Sequence, residues 1–340
     1  FQNLDYKKQL FYKGKQVFEL YNKMGKFVNI KVEPILECGE QYYYRNKMEF
    51  SFSNKRWILK ENDLGENKNF ALGLHVPGRY DKILNINNCH LQHKTANAIL
   101  NFVKDECIEQ NIEPYDIKKH TGFIRHLMLR VGIKTNQIMV NLVTAYENKK
   151  ILLPLASKLV KKFPEITSIV NNINSKKADI AFGEKEIKLA KNNYIIDMIG
   201  KFEFEISANS FFQTNTLQAE KLYEVIKEQC NFIGNEIVYD LYSGIGTISI
   251  FLSRFVKKIY AIELIKTAVV DAKKNALRNN IKNIHFFCGD LKDILKNDKL
   301  ISLPKPDTII VDPPRAGMHK NTIKDIVKLK PKTIIYCSCN

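Results

Sequence analysis

Four short stretches in the second half of the chain carry side chains able to do chemistry. Residues 334–340 read IIYCSCN, an apolar run that ends on Cys339, where a thiolate could act as a carbon-directed nucleophile. Residues 311–317, VDPPRAG, set the Asp312 carboxylate ahead of two prolines whose fixed backbone angle stiffens the loop. Residues 240–247, DLYSGIGT, close an apolar run on an acid and then turn through Gly244 and Gly246. Residues 258–262 form a further apolar run that ends on Glu263.

The elements that must position these groups follow from the pattern. Residues 237–239 read as a buried strand, 242–247 as a glycine turn, 248–252 as a helix and 258–262 as a second strand ending on an acid. Strand, glycine turn, helix, strand and acid form the plan of a nucleotide-cofactor half-site, in which the carboxylate accepts ribose hydroxyls. Two cofactor classes fit. A dinucleotide needs a third glycine to seat its pyrophosphate, and Ser249 stands there instead. S-adenosylmethionine has no phosphate, and its ammonium group suits the nearby Asp240. The second class is favoured. From residue 236 onward strands at Ile237, Ile259, Ile284, Thr308 and Thr333 alternate with helices near Thr247, Thr267, Lys292 and Lys320, which predicts a doubly wound parallel sheet. Asp240, Glu263, Asp290, Asp312 and Cys339 then fall at its ligand-binding edge.

The 340 residues suffice for two domains, and 45% apolar content is that of an ordinary globular chain. No run is long enough to span a membrane and the N-terminus lacks a signal-peptide core, so the expected location is the cytoplasm. A formal charge of +17 points to a polyanionic partner such as nucleic acid, although a lysine-rich solvated surface gives the same number. Seven scattered cysteines with no C-x-x-C pair argue against a self-contained zinc site and against a disulfide framework. Cys107, Cys230 and Cys288 are read as core, and Cys38 is unassigned.

Residues 6–24 predict an amphipathic helix. Residues 41–52, QYYYRNKMEFSF, alternate like a strand in their second half, and tyrosines beside Arg45 and Lys47 could stack bases and pair phosphates. Residues 64–86 look β-rich, 94–110 helical, and 127–131 with 138–144 form a hairpin. A helix over 152–163 and strands at 166–172 and 194–205 complete a part that reads as mostly antiparallel β. Residues 209–215, NSFFQTN, break the pattern before a helix over 216–230.

Taken in order, NSFFQTN, DLYSGIGT, DPPRAG and SCN resemble the motif set of the RNA (uracil-5-)-methyltransferases, and YRNKMEF at 44–50 is similar to a further motif of their RNA-facing domain. The match runs from about residue 42 to the last residue and lies nearest the branch that methylates 23S ribosomal RNA. The resemblance implies a Rossmann-like α/β sheet of the class I S-adenosylmethionine-dependent type, its last strands missing here, preceded by a β-rich α+β domain that recognises RNA. The domains expected are a helical segment at 1–38 that packs on the catalytic part, an RNA-binding part at 39–205 and a methyltransferase part at 206–340.

By the same resemblance Cys339 is the nucleophile that adds to uracil C6, and Gln213, Tyr242, Thr247, Glu263, Asp290 and Asp312 line the cofactor pocket. Thr247 stands where relatives commonly carry asparagine. Tyr44, Arg45 and Lys47 serve RNA binding. The family's general base, a glutamate, would lie beyond Asn340. Many relatives hold a 4Fe–4S cluster on three cysteines that would precede Phe1 and on a fourth matched by Cys89, so the chain looks cut at both ends and should not hold a cluster alone. A monomer acting on 23S ribosomal RNA is expected. The rivals are a transfer RNA enzyme of the same chemistry, an amino-group methyltransferase that uses 312–314 without covalent catalysis, an RNA-binding assembly factor with a vestigial cofactor site, and a nicotinamide oxidoreductase.

Overall fold

The computed structural model describes residues 1, 3–27, 29–59, 69–178, 180–294 and 303–338. They belong to two units, Phe1–Gln41 and Tyr42–Asn340. In the first, helix α1 (Tyr6–Lys23) matches the expected amphipathic run. Its N-cap Asp5 accepts the Lys8 backbone N–H at 3.1 Å, which satisfies one of the orphan donors of the first turn. The Cys38 N–H donates to the Tyr6 hydroxyl at 2.6 Å, tying the end of this unit to the helix start.

The second unit begins with a seven-stranded sheet of β1 (Lys47–Ser53), β2 (Ala71–Val76), β3 (Arg79–Asn85), β4 (Ile124–Val131), β5 (Ile138–Thr144), β6 (Ile166–Ile173) and β7 (Lys185–Lys191). Their order is β3-β2-β1-β4-β5-β6-β7. The expected hairpin is β4–β5, paired from Ile124↔Thr144 to Val131↔Ile138. The sheet is mostly antiparallel, as expected; the one parallel pair among its described strands is β5–β6, because helix α3 (Lys149–Lys162) carries the chain back across the sheet. β7 was not legible from its mixed KEIKLAK pattern.

β4 and β5 are buried along their whole length, since both faces of the sheet are covered. On one face Leu127, Leu129, Val140 and Leu142 pack with α2 (Lys94–Glu109) and α3 through Ile99, Leu100, Leu155 and Leu159. Each such side chain contributes about 1.5–3 kcal/mol when fully buried. On the other face Met128, Met139 and Val170 join a second core. That core is shared with a hairpin, β8 (Tyr194–Ile199) and β9 (Phe202–Ser207). The strand expected over 194–205 is thus a hairpin of two, because Gly200 turns the chain at φ +58°.

The catalytic part follows as α4 (Thr216–Cys230), β10 (Ile237–Leu241), α5 (Thr247–Leu252), β11 (Lys258–Glu263), α6 (Lys266–Arg278), β12 (Ile284–Cys288), α7 (Leu291–Ile294), β13 (Thr308–Val311), α8 (Lys320–Lys328) and β14 (Thr333–Tyr336). Its sheet is parallel in the order β12-β11-β10-β13-β14. The order reverses between β10 and β13, which opens a crevice at their carboxyl ends. The Phe204, Phe212, Tyr223 and Phe251 side chains pack the hairpin and α4 against it. One cysteine assignment changes. Cys107 is core, Cys230 is half-buried and packs against the second core, and Cys288 is exposed on edge strand β12, which no further described strand covers.

Candidate active site

The glycine turn after β10 is tightly specified. The Ser243 N–H donates to the Ile262 carbonyl at 3.1 Å and the Gly246 N–H to the Ser243 carbonyl at 2.8 Å. Tyr242 holds φ +65°, a left-handed conformation that a bulky side chain adopts only where its surroundings enforce it. The two glycines do different work. A Cβ on Gly246 would meet Phe286 at 3.1 Å and Ala272 at 3.3 Å, so this glycine lets helix and sheet close up. A Cβ on Gly244 would meet nothing within 4 Å, so this glycine borders open space that a ligand can fill.

Acids gather round that space. Glu263, the last residue of β11, accepts the Gly244 N–H at 2.9 Å on Oε2 and the Ile265 N–H at 2.8 Å on Oε1. Each oxygen keeps a lone pair for ribose hydroxyls. Asp240 is fully buried, and burial first, then the Asp312 and Glu263 charges, push its carboxyl up to about 7 against the hydrogen bond from Ser249. That Ser249 hydroxyl donates to Asp240 Oδ2 at 2.5 Å, while Asp240 Oδ1 and the neighbouring Ser243 hydroxyl find no partner among the described residues. Asp312 directly follows β13; burial raises its carboxyl above the usual range, and Gln213 Nε2 donates to its Oδ2 at 3.3 Å. Asp290 lies just past β12, where backbone and side-chain hydrogen bonds from Lys292 hold its carboxyl below the usual range. The structure brings together Gln213 with Asp312, and Glu263 with the glycine turn.

A cluster of carboxylates in a chain of net charge +17 repels a pyrophosphate and suits a cation. S-adenosylmethionine carries one positive charge on sulfur and another on its ammonium. The open space at Gly244 and the unpartnered atoms of Asp240 and Ser243 fit it.

The Thr247 hydroxyl is shared with Tyr223, the two oxygens lying 2.8 Å apart. Tyr223 is buried on α4 and was missed by sequence reasoning, because one aromatic on an amphipathic helix carries no signal of function. Ser243 was missed as well; Ser249 stood out only as a substitute glycine.

Cys339 lies outside the described residues. Its neighbour in sequence, Cys337, is half-buried after β14 with its thiol pushed up to about 12 by burial and then by Asp312 and Asp240. A thiol so raised is a poor source of thiolate.

Arg45 and Lys47 line a cavity together with Phe211 and Phe212, with no residue of the glycine turn in its lining, and half-buried Tyr44 lies outside it. Arg45 Nε donates to the Lys47 carbonyl at 3.0 Å. Asn46 Nδ2 donates to the Gln213 carbonyl at 2.7 Å and to Thr216 Oγ1 at 2.9 Å, which anchors that loop to the start of β1. Cys89 is half-buried, its backbone N–H donating to Asn97 Oδ1 at 2.8 Å. Among the described residues no group of three His, Cys, Asp or Glu could hold a metal, and one thiol does not fit a cluster that needs several. Among the same residues no helix is long and apolar enough to cross a membrane.

A parallel sheet with this strand order, a glycine turn at its switch point and acids around it define a class I S-adenosylmethionine-dependent methyltransferase. The family model for tRNA (Uracil-5-)-methyltransferase matches residues 133–340. An uncharacterized RNA methyltransferase of Chlorobaculum tepidum is 40% identical over 344 residues, covering 99% of this chain and 71% of that protein. Another, of Porphyromonas gingivalis, is 38% identical over 348 residues, covering 100% of this chain and 74% of that protein. Among solved structures, the Pyrococcus abyssi tRNA (uracil-54, C5)-methyltransferase in complex with S-adenosyl-L-homocysteine superposes with a TM-score of 0.77 at 28% identity, over 100% of this chain and 75% of that one. The chain belongs to the RNA (uracil-5-)-methyltransferase family, and is a transferase that takes its methyl group from S-adenosylmethionine.

Proposed function

We propose that this chain methylates C5 of one uridine in 23S ribosomal RNA through a covalent adduct with Cys339. One observation supports the reading above others: Gln213, on the loop anchored to the β1 strand, meets Asp312 of the catalytic sheet at 3.3 Å. Asn46, at the start of β1, holds the backbone of the residue whose side chain reaches the cofactor edge, which ties the part proposed to face RNA to the proposed donor site.

Uracil C5 is a weak nucleophile. S-adenosylmethionine supplies an electrophilic methyl on a positive sulfur. The Cys339 thiolate adds to C6, and the electrons of the C5–C6 double bond move towards O4 as an enolate. The enolate returns them through C5 to form the new carbon–methyl bond, and the old sulfur–methyl electrons stay with the departing thioether. A general base then takes the C5 proton; its electrons restore the double bond and expel the thiolate. Asp312, Gln213 and Tyr242 position the methionine end of the donor, Glu263 takes the ribose hydroxyls, and Asp290 stands beside the adenine. Asp240, held by Ser249, supplies buried negative character for the donor's positive end. The chain acts as a monomer in the cytoplasm, with residues 39–205 gripping RNA and 206–340 doing the chemistry.

The choice of 23S RNA rests on the motif set. A transfer RNA target is the second reading, favoured by the likeness to the Pyrococcus abyssi enzyme. The test offers unmodified 23S RNA and unmodified transfer RNA separately, with methyl-labelled S-adenosylmethionine, and seeks labelled 5-methyluridine in each digest. Label in 23S RNA that vanishes with Cys339→Ala supports the proposal. Label in transfer RNA alone moves the substrate to the second reading, and label that survives Cys339→Ala removes the covalent mechanism.

A further inference from the structure

A cavity of about 380 Å³ opens between β1 and the 210–214 loop, apart from the cofactor crevice. Phe211 lies in its wall at 65% exposure, although its neighbours Ser210 and Phe212 are buried. An exposed phenylalanine held by a buried loop costs apolar hydration with no return inside the protein. Cations crowd the opposite wall. Lys47 has its ammonium pulled below the usual range by burial, then by Arg130, with Arg45 adding to the effect. Glu49, which also lines the cavity, is the carboxylate among them and pairs with Lys47.

Arg130 makes the imbalance plain. It lies opposite Lys47 in the β1–β4 register and is fully buried. Its Nη2 donates to the Ser210 carbonyl at 2.8 Å, whereas Nε and Nη1 have no hydrogen-bond partner among the described residues. A guanidinium stays charged even when burial lowers it, and its carboxylate neighbour Glu49 is already paired with Lys47, so Arg45, Lys47 and Arg130 share one carboxylate. Such an arrangement calls for an anion, and the exposed ring beside it calls for a flat apolar face.

We propose that this cavity is a second nucleotide subsite, taking one unstacked nucleotide of the RNA strand next to the methylated uridine, with its base on Phe211 and its phosphate towards Arg45 and Lys47. The inference rests on the proposed uridine chemistry only for what it places next door. Gln213, which reaches Asp312 at the cofactor edge, is two residues from Phe211, and two residues span at most about 7 Å, the reach of one stretched nucleotide step. The loop thus separates two neighbouring pockets, one for the base that reacts and one for the base beside it. Single strands are commonly held this way, by stacking on aromatics and by cations along the backbone.

The test uses the whole chain saturated with S-adenosylhomocysteine and a fluorescein-labelled octauridylate, read by anisotropy across a salt series. Phe211→Ala is expected to weaken binding on the order of tenfold, with Phe211→Trp restoring it. Arg45→Gln and Lys47→Gln are each expected to reduce the salt slope by about one. S-adenosylhomocysteine affinity, measured on each variant, reports that the fold is intact. Octauridylate affinity unchanged within about twofold in Phe211→Ala overturns the stacking site. A parental salt slope in both cation variants overturns the phosphate site, and an unaltered chain that ignores octauridylate at low salt overturns both. Anisotropy reads binding whichever RNA is methylated. Label missing from 23S RNA therefore refutes the substrate reading alone, and a failed anisotropy test refutes the subsite alone.

Discussion

Gln213 and Asp312, ninety-nine positions apart, are joined by a hydrogen bond of 3.3 Å from the side-chain amide to the carboxylate. The Gln213 backbone carbonyl is itself held by Asn46, so three distant segments meet at this point. Gln213→Ala is expected to weaken S-adenosylhomocysteine binding roughly ten- to a hundredfold, since a hydrogen bond to a charged group contributes roughly 1.5–3 kcal/mol. Calorimetry on the free protein decides it, and parental affinity would remove Gln213 from the cofactor pocket.

Gly244 tests the shape of the pocket. A valine there would have to hold φ near +54°, which costs roughly 1–3 kcal/mol, and its methyl groups would occupy the open space. Gly244→Val should melt only slightly lower yet lose S-adenosylhomocysteine binding. Retention of normal affinity would show that the ligand does not use that space.

Asp240 gives the pH dependence a sign. Burial raises its carboxyl to about 7 in the folded chain, against about 3.9 when unfolded. Between those values the folded state holds more protons, so this group's stabilising contribution is full below about pH 4 and is lost as pH rises towards 7. Asp240→Asn removes the titration. The melting temperature of the variant relative to the parent should therefore rise from about pH 4.5 to about pH 7.5. A constant difference across that range would mean that Asp240 titrates normally.

Tyr223→Phe deletes a buried hydroxyl that shares a hydrogen bond with Thr247. A loss of about 1 kcal/mol in stability is expected from denaturant titration, with a smaller effect on cofactor affinity. If stability holds while cofactor affinity collapses, Tyr223 acts on the ligand rather than through Thr247.

The two C-terminal cysteines should separate cleanly. Cys337→Ala is expected to keep most methyl transfer, because its buried thiol is raised to about 12 and supplies almost no thiolate near neutral pH. Cys339→Ala should abolish both transfer and any covalent adduct with RNA, seen as a slow band on a denaturing gel. Reversed outcomes would move the nucleophile to Cys337.

The catalytic sheet was legible because its strands are short apolar runs ending on acids, and local pattern alone fixes such elements. Asp240, Glu263, Asp290 and Asp312 could be placed at one edge because parallel strands share a direction. The parallel β5–β6 pair, strand β7 and the split of 194–205 were not legible, since pairing partners and turns depend on what covers each face. The same holds for Tyr223 and Arg130. Sequence shows an aromatic in a helix and an arginine in a strand; only packing shows that one hydroxyl shares a hydrogen bond with Thr247 and that one guanidinium keeps two nitrogens without a hydrogen-bond partner among the described residues. Residue types and their order determined the class of chemistry, because chemistry depends on which groups are present. Which groups share their hydrogen bonds and which charges stay unbalanced was decided by the tertiary structure, because burial and long-range contact set those energies.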